Sequence, residues 1–583
     1  MFHATTRTLA PRVRCYATRA QPIRSANALA IGAGLGLLLT AGGIVHNDAS
    51  NWIPWKKSTP APQDVAAGHE KQDPNITPTS WDQQNQVNRG LKEPGLFLWG
   101  DNTTKIIQSS SSKQSFPYPH QHEFFRGQYL RDVAFGPDHA VTVDYHGNVY
   151  QWGVGHSQVE QPNLTLANGD IVQVAASASN VYALSKSGHL YVLPAAASSQ
   201  EEHADRSLPK ELQKSSGSWV SWLMGSSKPV NGQGHAYAVP MEQNMLKSGE
   251  RITSIATGLH HVLAVTSSGR VLSAPADVKG NERGQLGTGT FDIEAPSEYG
   301  YIKWNVVNDT LDGVKVVEAA AGHYHSVVRS EDGRVFTFGA NNFGQLGQGD
   351  VGVAKGQCNY PLEVRMLYSL SGRASKPPGF ACSRIAAGGE NSYFVVDKID
   401  KQKRSVTEVY SAGMGQYGQL GNAMYSQLQL TPVKVKEISN NSEYDEKSGK
   451  MVPIGIADMV AGATHVFSVL DNVTNVDERT VDTTKPNFGH DVYGWGHNFH
   501  SQVGNGKRNN IATPIHPETL MAEQEPHSKD VNSIVVNRLQ LAPVTHVKVK
   551  VPGSNKEQTA RVDQKMVAGV GISTVYSRVL PEK

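Results

Sequence analysis

The chain has only three cysteines, Cys15, Cys358 and Cys382, and no two of them form a Cys-x-x-Cys pair. That excludes the usual zinc-ribbon and dithiol redox motifs. Cys358 and Cys382 share one stretch between repeats, where a buried free thiol is the ordinary role. There is no Gly-x-Ser-x-Gly, His-Glu-x-x-His or Walker-type string, so nothing recommends a hydrolase, a metalloprotease or a phosphate loop. The expectation is a chain with no enzymatic role, no catalytic residues, no metal and no cofactor. Charge is sparse as well. Net charge is +2, and no acid precedes Asp48 while Arg7, Arg12, Arg14, Arg19 and Arg24 lie before residue 25. Without those five, the remainder stands near −3 (2 − 5). No Lys/Arg cluster with interleaved aromatics is evident, so no nucleic-acid partner is expected.

What is present is an echo. Residues 319–349 read Ala-Ala-Ala-Gly-His-Tyr-His-Ser-Val-Val, then Asp-Gly-Arg-Val-Phe-Thr-Phe-Gly, then Gly-Gln-Leu-Gly-Gln-Gly. The first half, a small-residue strand followed by a β-rich strand, recurs near Val133, Val174, Ile255, Ala319, Ile385, Val460 and Val567. The second half, a hairpin turn and an aromatic strand, recurs at Asn148–Gly153, His189–Leu193, Arg270–Ala274, Arg334–Gly339, Glu408–Gly413 and Asp491–Gly496. Its seventh copy, Leu96–Gly100, comes before any first half, and Val567–Val579 has no second half after it. A self-similar unit of this kind marks a repeat architecture. The simplest arrangement lets the N-terminal strand complete the blade begun by the C-terminus, so that no sheet edge stays open. His146-Gly147, Ser187-Gly188, Ser268-Gly269 and Asp332-Gly333 suit two-residue hairpins. Gly284, Gly287, Gly344, Gly347, Gly418 and Gly421 of the Gly-Gln-Leu-Gly strings are expected in turn conformations closed to other residues.

These strings resemble the repeat of the regulator of chromosome condensation family. The resemblance covers roughly residues 96–580 and implies an all-β, seven-bladed propeller closed by an N-terminal strand, with inserts at 194–250 and 507–565. His260, His325 and His465 are read as the matched histidines of the repeat, with a structural task toward a neighbouring blade. A ring disperses equivalent positions, which argues against a shared metal site.

Residues 1–25 have the Arg-rich, acid-free composition of a mitochondrial transit peptide, with cleavage expected after Tyr16. Ser25–Asn47 then runs 23 residues without Asp, Glu, Lys or Arg. About twenty helical residues cross a bilayer core, so 26–46 is expected to be a transmembrane helix. Ala28, Gly32, Gly36 and Thr40 fall at intervals of four and would let a second helix approach closely; a generic Gly-rich anchor explains them equally well. Trp52, Trp55, Lys56 and Lys57 suit the far membrane boundary. Residues 47–95 are expected to be a flexible linker, spanning roughly 40 Å as a coil. Arg19 and Arg24 favour the intermembrane space for the propeller and family resemblance favours the matrix, which leaves the side open.

The 194–250 insert is polar except for a stretch containing Trp219, Trp222, Leu223 and Met224. Aromatic anchors on loops commonly carry binding, so these four are candidate partner-binding residues; folding back on the propeller wall is the plainer alternative. In the second insert, Val544–Val551 alternates apolar and basic residues and reads as an exposed edge strand. The chain resembles fungal mitochondrial inner-membrane members of the family. That implies a single-pass, non-catalytic assembly factor for the respiratory chain, above all the cytochrome bc complex (complex III), with respiratory subunits or other assembly factors as partners. Two alternatives stay open: nucleotide exchange on a mitochondrial GTPase, by analogy with the family's namesake, and association with the mitoribosome or RNA.

Overall fold

Alternating β-branched and aromatic residues separated by Gly-containing turns produce short antiparallel strands throughout. The computed structural model describes residues 86–581, apart from 168–169, 205–236, 239–244, 292–302, 308, 350–355, 371–374, 401–402, 446–448, 473–488, 521–537 and 551–556. The expected transit peptide, the transmembrane helix with Ala28, Gly32, Gly36 and Thr40, and the Trp219–Met224 cluster all lie outside the described residues. Among the described residues no helix is long and apolar enough to cross a membrane.

The fold is an all-β propeller of the regulator of chromosome condensation type. Four-stranded sheets begin at Ile171, Ile252, Val316 and Ala381, and a five-stranded sheet begins at Gly455; each is called here by its first residue number. A nine-stranded sheet joins the two ends of the described region. Within it, Leu96–Asp101 pairs antiparallel with Ile572–Val579, Leu96 opposite Tyr576 and Gly100 opposite Ile572. Leu130–Phe135 meets Ile572–Val579 at one parallel pair, Leu130 with Arg578. Each repeat's first half supplies the two inner strands of a sheet, and its second half supplies the third.

The small residues lie where neighbouring sheets crowd together. The amide of His323 donates to Gly389 O (2.8 Å) of the next sheet. A Cβ on Gly322 would lie 2.6 Å from that same oxygen, and a Cβ on Gly462 would lie 2.6 Å from Gly569 O. No side chain larger than hydrogen fits these two positions without moving backbone.

Two expectations need correction. The linker does not extend to residue 95: residues 86–92 form a helix. Val87 and Leu91 are four apart, so both sit on one helical face, and they pack with Ala542, Val549, Val562 and Val579. Gln86 Nε2 donates to Arg538 O (2.7 Å), and its Oε1 accepts from Gln540 N (3.2 Å). For the same reason the strand expected at Val544–Val551 is not simply exposed. Thr545–Lys550 is an edge strand paired only with Glu557–Ala568, but Val549 is buried under this helix.

The insert boundaries also change. Tyr237–Ala238, inside the first insert, is the outer strand of the 171 sheet. Ile511–Ile515, inside the second, is the corresponding strand of the 455 sheet. Outer strands pair on one side only and carry no shared motif, so they read as insertion.

Candidate protein-binding face

Successive turns of an antiparallel sheet alternate between its two ends. The Gly-Gln-Leu-Gly loops, which follow each third strand, therefore share one face of the propeller with the turns joining each first strand to its second. The positions just before the string are Arg283, Phe343 and Tyr417, with His500 before the looser Ser501–Gly504 string.

The loops are rigid. Gly284, Gly287, Gly344, Gly347, Gly418 and Gly421 all have φ between 64° and 85°. A Cβ on Gly344 would lie 2.4 Å from Gln429 O of the next sheet, so strain and collision both reserve that position for glycine. The Gln shared by the strings folds inward: Gln345 Oε1 accepts from Phe343 N (2.9 Å), and Gln419 Oε1 from Tyr417 N (2.7 Å).

The Gln carbonyls then bind the next sheet. Ser326, Ser392 and Ser573 hydroxyls donate to Gln285 O (2.8 Å), Gln345 O (2.7 Å) and Gln502 O (2.7 Å). Each of these serines also meets a histidine Nε2 of the preceding sheet, from His261 (2.9 Å), His325 (3.0 Å) and His465 (2.8 Å). A carbonyl can only accept, so the serine hydrogen goes to it, and the serine oxygen accepts from a protonated Nε2. That fixes the tautomer. Burial pushes the histidines down, His261 to about 3, His325 to about 4 and His465 to about 3. They are neutral tethers between sheets.

The matched histidine of the third unit is therefore His261. His260 stands one position off the register and instead pairs through Nδ1 with Asp277 Oδ2 (2.5 Å). The strand register, His261 opposite Pro275 as His325 is opposite Gly339, selects the right one, and so does the Gly-x-x-His spacing shared by Gly258–His261, Gly322–His325 and Gly462–His465.

Two further sets of ties escaped the sequence reading. Trp99 Nε1 donates to Gln502 O (2.9 Å), Trp495 Nε1 to Gln419 O (2.8 Å) and Trp152 Nε1 to Ile106 O (2.9 Å). Nearer the axis, Asp132 accepts from Val174 N (3.0 Å), Gln173 bonds both backbone groups of Ile255, and Arg384 donates to Ile456 O (3.0 Å). The signal for the second set was one polar residue recurring just before each small-residue run.

On this scaffold one patch of the loop face is apolar and open. Met424, Tyr425, Leu428 and Phe499 are 57%, 59%, 43% and 58% exposed. They sit on two neighbouring sheets held together by Tyr425 Oη donating to Asn510 O (3.0 Å) and by Ala423 N donating to Ala512 O (2.9 Å). The Tyr417 ring lies 4.7 Å from that of His497, and His497 stacks on Phe499 at 6.5 Å. Among the described residues no three His, Cys, Asp or Glu converge as metal ligands. Cys358 and Cys382 are free and buried, and burial raises both thiols, which opposes thiolate chemistry.

Known proteins agree with this architecture. Models described as the regulator of chromosome condensation (RCC1) repeat match residues 316–345, 332–395 and 408–469. The chain is 24% identical over 485 residues to the mitochondrial protein FMP25 of Saccharomyces cerevisiae, covering 78% of this chain and 70% of that one. It is 24% identical over 386 residues to the mitochondrial RCC1 domain-containing protein RUG3 of Arabidopsis thaliana, covering 64% and 72%. A solved structure of Kap60 bound to yeast RCC1 (Prp20) matches 89% of this chain and 97% of that one, at 15% identity and a TM-score of 0.50.

Proposed function

We propose that this chain is a mitochondrial, non-catalytic scaffold that assists respiratory-chain biogenesis from the inner membrane, with complex III as its foremost target. The observation that carries the reading is the pairing of RCC1 repeats with relatives named as mitochondrial in a fungus and a plant. The open apolar patch on a rigid loop face supports protein partners, since exposed apolar groups held by a stiff frame suit recognition.

In this reading the nine-stranded sheet is two blades touching at Leu130 and Arg578, and the ring has seven. Residues 1–25 address the chain to mitochondria, 26–46 anchor it, and the small-residue stripe from Ala28 to Thr40 packs against a membrane partner. Trp219, Trp222, Leu223 and Met224 provide a second contact. Replacing both tryptophans with Ala should then lower partner recovery while the ring stays folded.

The test of the scaffold is a gene deletion read on native gels. Assembled complex III should fall while transcripts of its subunits stay constant; normal complex III would overturn the proposal. Carbonate extraction of mitochondria should leave the chain in the membrane pellet, and release would remove the anchor. Protease protection in mitochondria against mitoplasts fixes the side.

A further inference from the structure

The open patch between the 381 and 455 sheets has a charge pattern that composition hides. Residues 409–436 and 492–517 contain no Asp or Glu; Lys434 is already paired with Glu408 (2.8 Å), whereas the 455 loop carries Lys507 and Arg508. The Arg508 guanidinium lies 5.5 Å over the Phe499 ring, and its Nε donates to Phe499 O (2.9 Å). That fixes the fork against the aromatic face and leaves the Nη donors directed by a rigid support. Among the described residues neither Lys507 nor Arg508 is ion-paired. A cation pair thus borders an apolar surface made by Met424, Tyr425, Leu428 and Phe499.

From this we infer that the patch is a docking site for an acidic peptide segment carrying aliphatic or aromatic side chains, held as an extended strand across the two loops. The inference deepens the scaffold reading and rests on it. The carboxylates would meet Lys507 and the Arg508 fork, which matches carboxylate geometry, while the apolar side chains cover Met424 and Leu428. Single-stranded RNA fits less well. It needs a row of cations along its backbone, whereas the 455 loop offers the adjacent Lys507 and Arg508, and burial and the neighbouring His500 depress His497. Nor has RNA an aliphatic group to cover Met424 and Leu428.

The test uses the purified full chain and a fluorescein-labelled peptide alternating Glu with Leu and Phe, read by anisotropy. A twin peptide carries Gln in place of every Glu. The acidic peptide should bind saturably and the twin about tenfold more weakly, a difference of about 1.4 kcal/mol. The double variant K507E/R508E should lose about tenfold, and binding should weaken with salt. Because these charges are exposed, the variant should melt with the parent. M424S/F499S, also at exposed positions, should lose a similar factor through the apolar half. Equal binding of the twin, or parental affinity in either folded double variant, would overturn the inference. So would binding of a single-stranded oligoribonucleotide or a cardiolipin-containing vesicle through these residues with no binding of the peptide. The scaffold reading fails separately, on normal complex III in the deletion strain.

Discussion

At the scale of single residues the ring is held by polar groups that have exchanged water for a neighbouring sheet. His325 illustrates the energetics. Folded, it is neutral, with burial holding it near 4 against an ordinary 6.5. Between those values the unfolded chain binds the proton and the folded chain does not, so stability rises with pH and is lost as pH falls below about 6.5. The slope is about 1.4 kcal/mol per pH unit for each such histidine. His261 and His465 behave alike, which should make urea midpoints drop steeply between pH 6.5 and 4. Asn391 stands at the corresponding position of the next sheet, opposite Gly413, so His325→Asn is the natural probe. At pH 7.5 it should cost about 1 to 3 kcal/mol through the lost Ser392 bond, while flattening the acid slope by one histidine. An unchanged slope would mean that His325 titrates normally in the fold. A glycine offers an independent check: Gly344→Ala should destabilise by about 1 to 3 kcal/mol, given φ of +84° and the 2.4 Å approach to Gln429 O. These side chains were half legible. The motif marked the histidines and glycines, and choosing His261 over His260 needed the count of three from Gly258, as from Gly322 to His325 and Gly462 to His465. The serine that each histidine meets lies 65 to 108 residues away, beyond the reach of any local pattern.

At the scale of elements the first halves and third strands were readable because each carries a packed inner face and a turn of fixed length. The strands at Val316–Ala321, His325–Ser330 and Val335–Ala340 fall where the echo placed them. The outer strands were not readable, since one-sided pairing leaves them free of pattern. The helix at 86–92 escaped for a related reason. Only two of its apolar side chains are needed to cover a small cluster, and in a polar tract two residues do not make a period. Its contribution is measurable. Val87 is fully buried and Leu91 nearly so, against Val549 and Val562. The double change to Ala should cost about 2 to 4 kcal/mol, and hydrogen exchange should rise first in Thr545–Lys550, whose other edge is unpaired. If exchange there stays at parental levels, the helix is an ornament and the hairpin holds itself.

At the scale of the whole molecule the deciding contact joins residues more than 470 positions apart. Leu96 lies opposite Tyr576, Trp99 is fully buried with its ring 6.2 Å from Phe467, and Thr574 Oγ1 donates to Phe97 O (2.7 Å). An open chain of sheets would tolerate loss of its last member, as solenoids do, because each unit leans only on its neighbours. A closed set would not, because removing one sheet exposes two interfaces and frees the first strand. Truncation after residue 556 separates the cases. It deletes Glu557–Ala568 and Ile572–Val579, leaving Leu96–Asp101 paired with Ser115–Gln121 alone and Trp99 against a half-built wall. Limited proteolysis of the truncated chain should then cut throughout, including the 316 and 381 sheets at the far side of the order of strands, and thermal melting should lose its single cooperative step. Persistent protection of the 316 and 381 sheets, with cleavage confined to the ends, would show that the sheets stand independently and that closure contributes little. Long-range pairing of this kind also delays folding, so the full chain should regain protection in all sheets together, only after both termini have met.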